Sequence, residues 1–253
     1  MPMSDLSKPD RRRPDRFMVI VAHPDDADFG PAATAARWID AGSEGWLVCC
    51  TSGDAGGRAA DDDPLELAAT REAEQRAAAA IVGYAGVTFL HMPDGGLAND
   101  LALREHLVRE IRSFRPQAVL CVDPETLFYP DGGINHVDHR AAAMAAVDAT
   151  YPAARNPMTF PHLVRSGLAP HDVGRLYLFW TNQPNAWIDV TATLERKIEA
   201  LRAHRSQIDD PESLGRRIRS SAAEVGAEIG AAAEAFRIID IDDDDEPPDD
   251  RRV

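Results

Sequence analysis

Two short stretches carry residue types suited to metal-assisted hydrolysis. The first is Ala22-His23-Pro24-Asp25-Asp26-Ala27-Asp28, an imidazole followed closely by three carboxylates. The second is Asn135-His136-Val137-Asp138-His139-Arg140. Zinc takes His nitrogen and carboxylate oxygen, and a catalytic zinc keeps one position open for water. His23 and Asp26 suit two ligand positions, which leaves Asp25 free beside the metal. A free carboxylate there accepts a proton from water whose pKa the metal lowers. The third ligand has to come from a distant segment, and the one around His136 and His139 is the best candidate. If a helix starts there, the two histidines lie three residues apart on one face. One then binds metal while the other approaches a substrate carbonyl. A two-histidine, one-carboxylate set also serves non-haem iron oxygenases. Asp25 and the second histidine make hydrolysis the better fit. Alone, His-Pro-Asp-Asp also reads as a capped turn; two such clusters, each at a strand end, weaken that reading. His91, His106, His162, His171 and His204 lack such clustering and read as structural or solvated.

Strands alternating with helices must position these stretches. Phe17 to Ala22 is a short apolar run, a buried parallel strand that delivers His23. Further strands are expected at Gly45–Thr51, Val87–His91, Ala118–Val122 and Arg175–Trp180. Helices are expected at Pro31–Ala41, Pro64–Val82, Leu101–Phe114, about His136–Thr150, Thr191–His204 and Glu212–Phe236. The pattern implies an α/β fold, a doubly wound, mostly parallel sheet with helices on both faces and a C-terminal helical extension. In such folds ligands gather beyond the carboxyl ends of the strands, which is where both His/Asp stretches fall.

Composition narrows the class. The chain has 253 residues, 44% of them hydrophobic, with a net charge of −15. That length suits one sizeable domain, placed at residues 16–238. Residues 1–15 read as a mobile polar leader, and the arginines at 11–13 precede too short an apolar run for a signal sequence. Residues 239–253 read as an acidic disordered tail, too polar to offset its ordering entropy. The acidic balance argues against nucleic acid as a partner, and no run approaches the length of a membrane span. Cys49, Cys50 and Cys121 lie in apolar runs and read as reduced thiols of a cytoplasmic protein. Abundant Ala and Arg point to a high-GC bacterial source. The apolar spacing of the last helix leaves packing or a homo-oligomer contact open. No G-x-S-x-G nucleophile motif and no phosphate-binding loop is present.

Ala22-His-Pro-Asp-Asp26 with Ala27-Asp28-Phe29-Gly30 resembles the opening motif of the PIG-L/LmbE-like zinc deacetylases, and His136-Val-Asp-His139 resembles their second metal motif. Thr51-Ser-Gly-Asp54, Arg71-Glu72-x-Glu74, Pro93-Asp94-Gly95 and Ala200-Leu-Arg-Ala-His-Arg-Ser-Gln207 are similar to further family segments in the same order. The resemblance implies a Rossmann-like fold and hydrolysis of N-acetylglucosamine-type amides. It implies Zn2+ on His23, Asp26 and His139, one per chain, with Fe2+ an alternative occupant. Asp25 would be general base and then acid, and protonated His136 would polarise the carbonyl. Arg71 and Asp94 match substrate-holding positions. Asp28 replaces the usual Glu, with a supporting role behind the ligands. Val137 stands where Pro is frequent, and Ile134 where one thiol-pathway member type has a gating Tyr. The expected partner is therefore a small N-acylated sugar or sugar conjugate. An amidase acting on a thiol conjugate and a non-catalytic sugar-binding relative are the alternatives.

Overall fold

The computed structural model describes residues 12–241. Most of the expected leader and tail lies outside that range. The first strand, β1 (Arg16–Val21), is buried on both sides of the sheet. Phe17, Val19 and Val21 face one core, while Met18 and Ile20 face the other. This explains a continuous apolar run rather than an alternating one. A short α1 (Asp26–Phe29) and α2 (Ala32–Asp40) follow, then β2 (Glu44–Thr51). Next come α3 (Pro64–Val82), β3 (Gly86–Met92), α4 (Leu101–Phe114) and β4 (Ala118–Val122). Asp63 caps α3 through Leu65 N–H and Asp100 caps α4 through Leu103 N–H. Capping of this kind is worth about 1 kcal/mol each.

The chain continues through α5 (Val137–Asp148), α6 (Pro161–Arg165), β5 (Arg175–Phe179) and β6 (Ala186–Asp189). It ends in α7 (Leu194–Arg202), α8 (Pro211–Val225) and β7 (Ala233–Asp240). The sheet order is β3-β2-β1-β4-β5-β7-β6. The first five strands in this order are parallel, whereas β7 runs antiparallel to both β5 and β6. β1 therefore lies where the strand order reverses, the place at which doubly wound sheets bind ligands. The mostly parallel, doubly wound reading holds.

Strand β6 and helix α6 are not among the elements expected from the sequence, and the C-terminal part departs from its reading. The helix expected over Glu212–Phe236 stops at Val225, and the chain then returns as strand β7. Gly226 marks the break: a Cβ there would sit 1.7 Å from the Ala231 carbonyl oxygen. In β7, Phe236 and Ile238 are buried at alternate positions, the period of a strand. Ile239 and Asp240, assigned to the tail, close β7. Asp240 lies 2.5 Å from Arg175 Nε and 3.2 Å from Arg12 Nη1. Cys49, Cys50 and Cys121 are all buried and free. Among the described residues no helix is long and apolar enough to cross a membrane.

Candidate metal centre and active site

β1 ends at Val21 and the chain turns sharply into α1. Within that turn Asp25 has φ 93°, in the left-handed region. A non-glycine residue there costs of order 1–3 kcal/mol and persists only where its surroundings hold it. Here the Asp25 N–H donates to Gln75 Oε1 at 2.7 Å, the Asp25 carbonyl accepts from the N–H groups of Asp28 and Phe29, and the His23 N–H donates to Asp26 Oδ2 at 2.8 Å. The side chains of His23, Asp25 and Asp26 consequently reach one cavity.

The second stretch arrives at the same place. His136 is the N-cap of α5, and its Nδ1 accepts from the Asp138 N–H at 3.2 Å. His139 lies one turn further, with Nε2 3.0 Å from Asp26 Oδ1. His23 Nδ1 is 3.4 Å from Asp26 Oδ2. Ligand nitrogens of His23, His136 and His139 fall within 4.8 Å of one another. The structure thus joins the two distant stretches.

The donor set fits a divalent cation, because the remaining hydrogen bonds leave lone pairs facing it. His23 Nε2 lies 3.0 Å from Asp94 Oδ1 and 3.3 Å from Asp138 Oδ2. Ionised carboxylates only accept, so Nε2 carries a proton, and a cation beside Asp26 would take the place of the proton on Nδ1. His139 Nδ1 is 3.2 Å from Asn135 Oδ1, and Asn135 is oriented by its Nδ2 donating to the Thr126 carbonyl. With Nδ1 engaged, Nε2, 3.0 Å from Asp26 Oδ1, is the His139 nitrogen that would bind a cation. Asp138, fully buried, already accepts from the N–H groups of Gly95 at 2.6 Å and Leu97 at 3.1 Å. Its part is to hold His23.

Electrostatics follows from this packing. Burial works to lower the His23 pKa, but its hydrogen bonds to the carboxylates of Asp26 and Asp94 outweigh this and push it up to about 10. Such a group, surrounded by carboxylates, is a place where positive charge is stabilised. Burial, and then the Asp26 charge, push Asp25 up to about 7. Asp94 is brought down to about 2: burial opposes this, but bonds from His23 and the Ala55 N–H prevail. Burial, then the charges of His23 and His139, lower the His136 pKa. His136 Nδ1 accepts the Asp138 N–H, which leaves Nε2 as the nitrogen available to donate.

A cavity of about 390 Å³ is lined by His23, Asp25, Asp26, Arg71, Asp94, His136 and His139. Arg71 and Asp94 are thus at the site, but engaged. Arg71 is buried and donates to the carbonyls of Gly53 and Pro24, with Nη2 3.4 Å from Asp25 Oδ2. A Cβ on Gly53 or Gly56 would fall within 2.5 Å of its guanidinium, so both glycines make room for it. Asp28 is fully buried. It bonds Gln75 Nε2 and His204 Nε2, each at 2.8 Å, and Gln75 in turn holds the Asp25 backbone.

Sequence reasoning missed Gln75, Asn135, Asp138 and Trp180 as parts of the site, and placed His204 among the structural histidines. Asp138 and Asn135 sit inside or beside the His-Val-Asp-His stretch, which was their signal. Trp180, whose ring lies 5.4 Å from that of His139, had none.

The molecule is thus a doubly wound α/β protein with an imidazole–carboxylate cluster, suited to a metal ion, at the switch point of its sheet. Residues 18–150, just over half of the chain, match the PIG-L family, described as GlcNAc-PI de-N-acetylase. The diacetylchitobiose deacetylase of Thermococcus kodakarensis is 30% identical over 195 residues, 77% of this chain and 71% of its own. A 1D-myo-inositol 2-acetamido-2-deoxy-alpha-D-glucopyranoside deacetylase of Saccharopolyspora erythraea is 31% identical over 240 residues, 76% of this chain and 83% of its own. The structure of N,N'-diacetylchitobiose deacetylase from Pyrococcus horikoshii superposes with TM-score 0.82 at 29% identity, covering 90% of this chain and 84% of that one. The chain belongs to the PIG-L de-N-acetylase family.

Proposed function

We propose that the protein is a zinc-dependent hydrolase that removes an N-acyl group, acetyl in the simplest case, from a glucosamine-type sugar or sugar conjugate. The observation that carries the reading is the convergence of Asp26, His23 and His139, with Asp25 beside them, raised towards neutrality and lining the same cavity. The relatives act, by their names, on diacetylchitobiose and on an N-acetylglucosaminyl inositol, which supports the substrate class. Two imidazoles and one carboxylate suit zinc, with ferrous iron as the alternative occupant.

His23, Asp26 and His139 would hold the ion, and Asp94 and Asp138 would fix the tautomer of His23. A zinc ion there supplies Lewis acidity, polarising the amide carbonyl and lowering the pKa of water. Asp25 accepts the proton of the attacking water and later delivers it to the departing amine nitrogen. His136 donates its Nε2–H to the carbonyl oxygen as that oxygen gains charge. Arg71 sets Asp25 in place, and Asp94 lines the cavity where sugar hydroxyls bind. No side chain becomes acylated. A cytoplasmic setting and a bacterial source belong to the same proposal, the first supported by three buried free thiols.

The test is amine release from N-acetylglucosamine, N-acetylglucosaminyl inositol, diacetylchitobiose and an N-acetylated thiol conjugate, with and without chelator. Release from at least one sugar, abolished by chelator and restored by zinc, is expected. Chelator-resistant release would remove the metal from the mechanism, and release from the thiol conjugate alone would transfer the assignment to the amidase.

A further inference from the structure

The catalytic cavity has an apolar neighbour. His136 and His139 also line a second cavity of about 390 Å³, whose other walls are Tyr129, Ile134 and Trp180. The two cavities differ in chemistry. One presents Asp25, Arg71 and Asp94; the other presents an indole, a phenol and a branched aliphatic chain. They meet at the two imidazoles.

The apolar wall is a built feature. Residues 127–135 form a small hairpin in which Phe128 and Ile134 pair across the strands. The Tyr129 N–H donates to the Gly133 carbonyl at 2.8 Å, and the Asn135 N–H to the Leu127 carbonyl at 2.9 Å. Asn182 Nδ2 donates to the Phe128 carbonyl at 2.8 Å, tying the hairpin to the segment after β5. Trp180 itself has φ 53°, a left-handed conformation that costs energy in a bulky residue. It faces His139. The hairpin holds Ile134, a wall of the cavity, 70% exposed, and its pairing partner Phe128 59% exposed. Apolar side chains fixed in solvent beside a catalytic centre mark a surface that a ligand covers.

An N-acyl sugar has one hydroxylated end and one acyl end, joined by the scissile amide. With the amide at the imidazoles and the sugar hydroxyls in the carboxylate-lined cavity, the acyl group points into the other. An acetyl methyl fills only a small part of about 390 Å³. We propose that the Tyr129–Ile134–Trp180 cavity is an acyl-chain subsite, so that the enzyme hydrolyses glucosamine amides of medium-chain fatty acids in preference to acetamides. This rests on the deacylase reading above and deepens it. Water oxygen bonds to the acyl carbon, the C–N bond breaks, and the nitrogen takes a proton. The products are a medium-chain carboxylate and the amino sugar.

The experiment compares N-acetyl-, N-butanoyl- and N-hexanoylglucosamine, together with phenyl N-acetyl-β-glucosaminide, using the zinc-loaded full chain. The hexanoyl substrate should exceed the acetyl one in kcat/KM by about tenfold or more, since each buried methylene contributes measurably to discrimination. Ile134→Asp should reduce the hexanoyl-to-acetyl ratio by about tenfold. An acetyl preference, a ratio unmoved by Ile134→Asp, or a larger gain from the phenyl aglycone than from the hexanoyl chain overturns the subsite. Binding of the same ligands to Asp25→Asn, followed by calorimetry, separates the two readings. Tighter hexanoyl binding without turnover by the parent chain sinks the hydrolase and keeps the subsite; equal binding sinks the subsite.

Discussion

Asp25 differs from the carboxylates around it in what its oxygens touch. Asp26 faces two imidazoles, Asp94 faces His23 and the Ala55 N–H, and Asp138 is filled by two backbone N–H groups. Asp25 has one 3.4 Å contact to Arg71 and otherwise opens into the cavity. Its backbone is fixed by Gln75 while its carboxylate is left available, the arrangement a proton carrier needs. Asp25→Asn preserves size and the Gln75 bond to the backbone. Deacylation should then fall by a factor on the order of 100 or more, the usual worth of a general base. Zinc content measured by elemental analysis should stay near one per chain. Parental turnover in this variant refutes the role of Asp25; loss of zinc would make it a ligand instead.

At the scale of elements, β7 matters to the site although it touches none of the ligands. Glu234 in β7 accepts from the N–H groups of Ala33 and Thr34, capping α2, and its Oε1 lies 2.7 Å from Lys197 Nζ in α7. Lys197 also donates to the Gly30 carbonyl at 2.6 Å. The C-terminal strand is thereby stapled to the segment that follows the His-Pro-Asp-Asp turn. Both side chains are nearly buried, so Glu234→Ala strands an ammonium in the interior. That should cost about 3–5 kcal/mol, read as a lowered midpoint in urea unfolding. A change under about 1 kcal/mol would mean that Lys197 finds another partner or water. This staple could not be read from the sequence. The Ala-rich stretch 231–235 suggests helix by intrinsic propensity, whereas its fate is set by β5 and β6 on either side, which are distant in sequence. By contrast α3 and α4 were legible to the residue, because Asp63, Gly83 and Asp100 are local stop and start signals. The same division holds in the site. His23, Asp25, Asp26, His136 and His139 come in two contiguous packets, each at a strand end. Gln75, Asn182 and Trp180 reach the site only through tertiary packing, which leaves no local pattern.

Over the whole molecule, the centre ties the end of β1 to the start of α5, two pieces of chain on neighbouring strands of the sheet. An ion held by His23, Asp26 and His139 binds the folded chain alone, because the unfolded chain does not hold these groups together. Binding to the folded state stabilises it in proportion to ln(1 + [L]/Kd), about 2.7 kcal/mol when free metal is 100 times Kd. For a chain of this size each kcal/mol is worth about 2–4 °C, so the thermal midpoint should rise by about 5–10 °C on adding zinc to the chelated protein. The cluster also holds Asp25, Asp26, Asp94 and Asp138 close together, a concentration of negative charge that a cation relieves and that water reaches poorly. His139→Ala should abolish the zinc-dependent rise while the stabilities of the chelated variant and parent stay within about 1–3 kcal/mol of each other, the ordinary range for a single substitution. A zinc-dependent rise of full size in His139→Ala would place the ion elsewhere. The absence of any rise in the parent chain would mean that the two stretches meet without holding a metal, and the hydrolytic assignment would lose its physical basis.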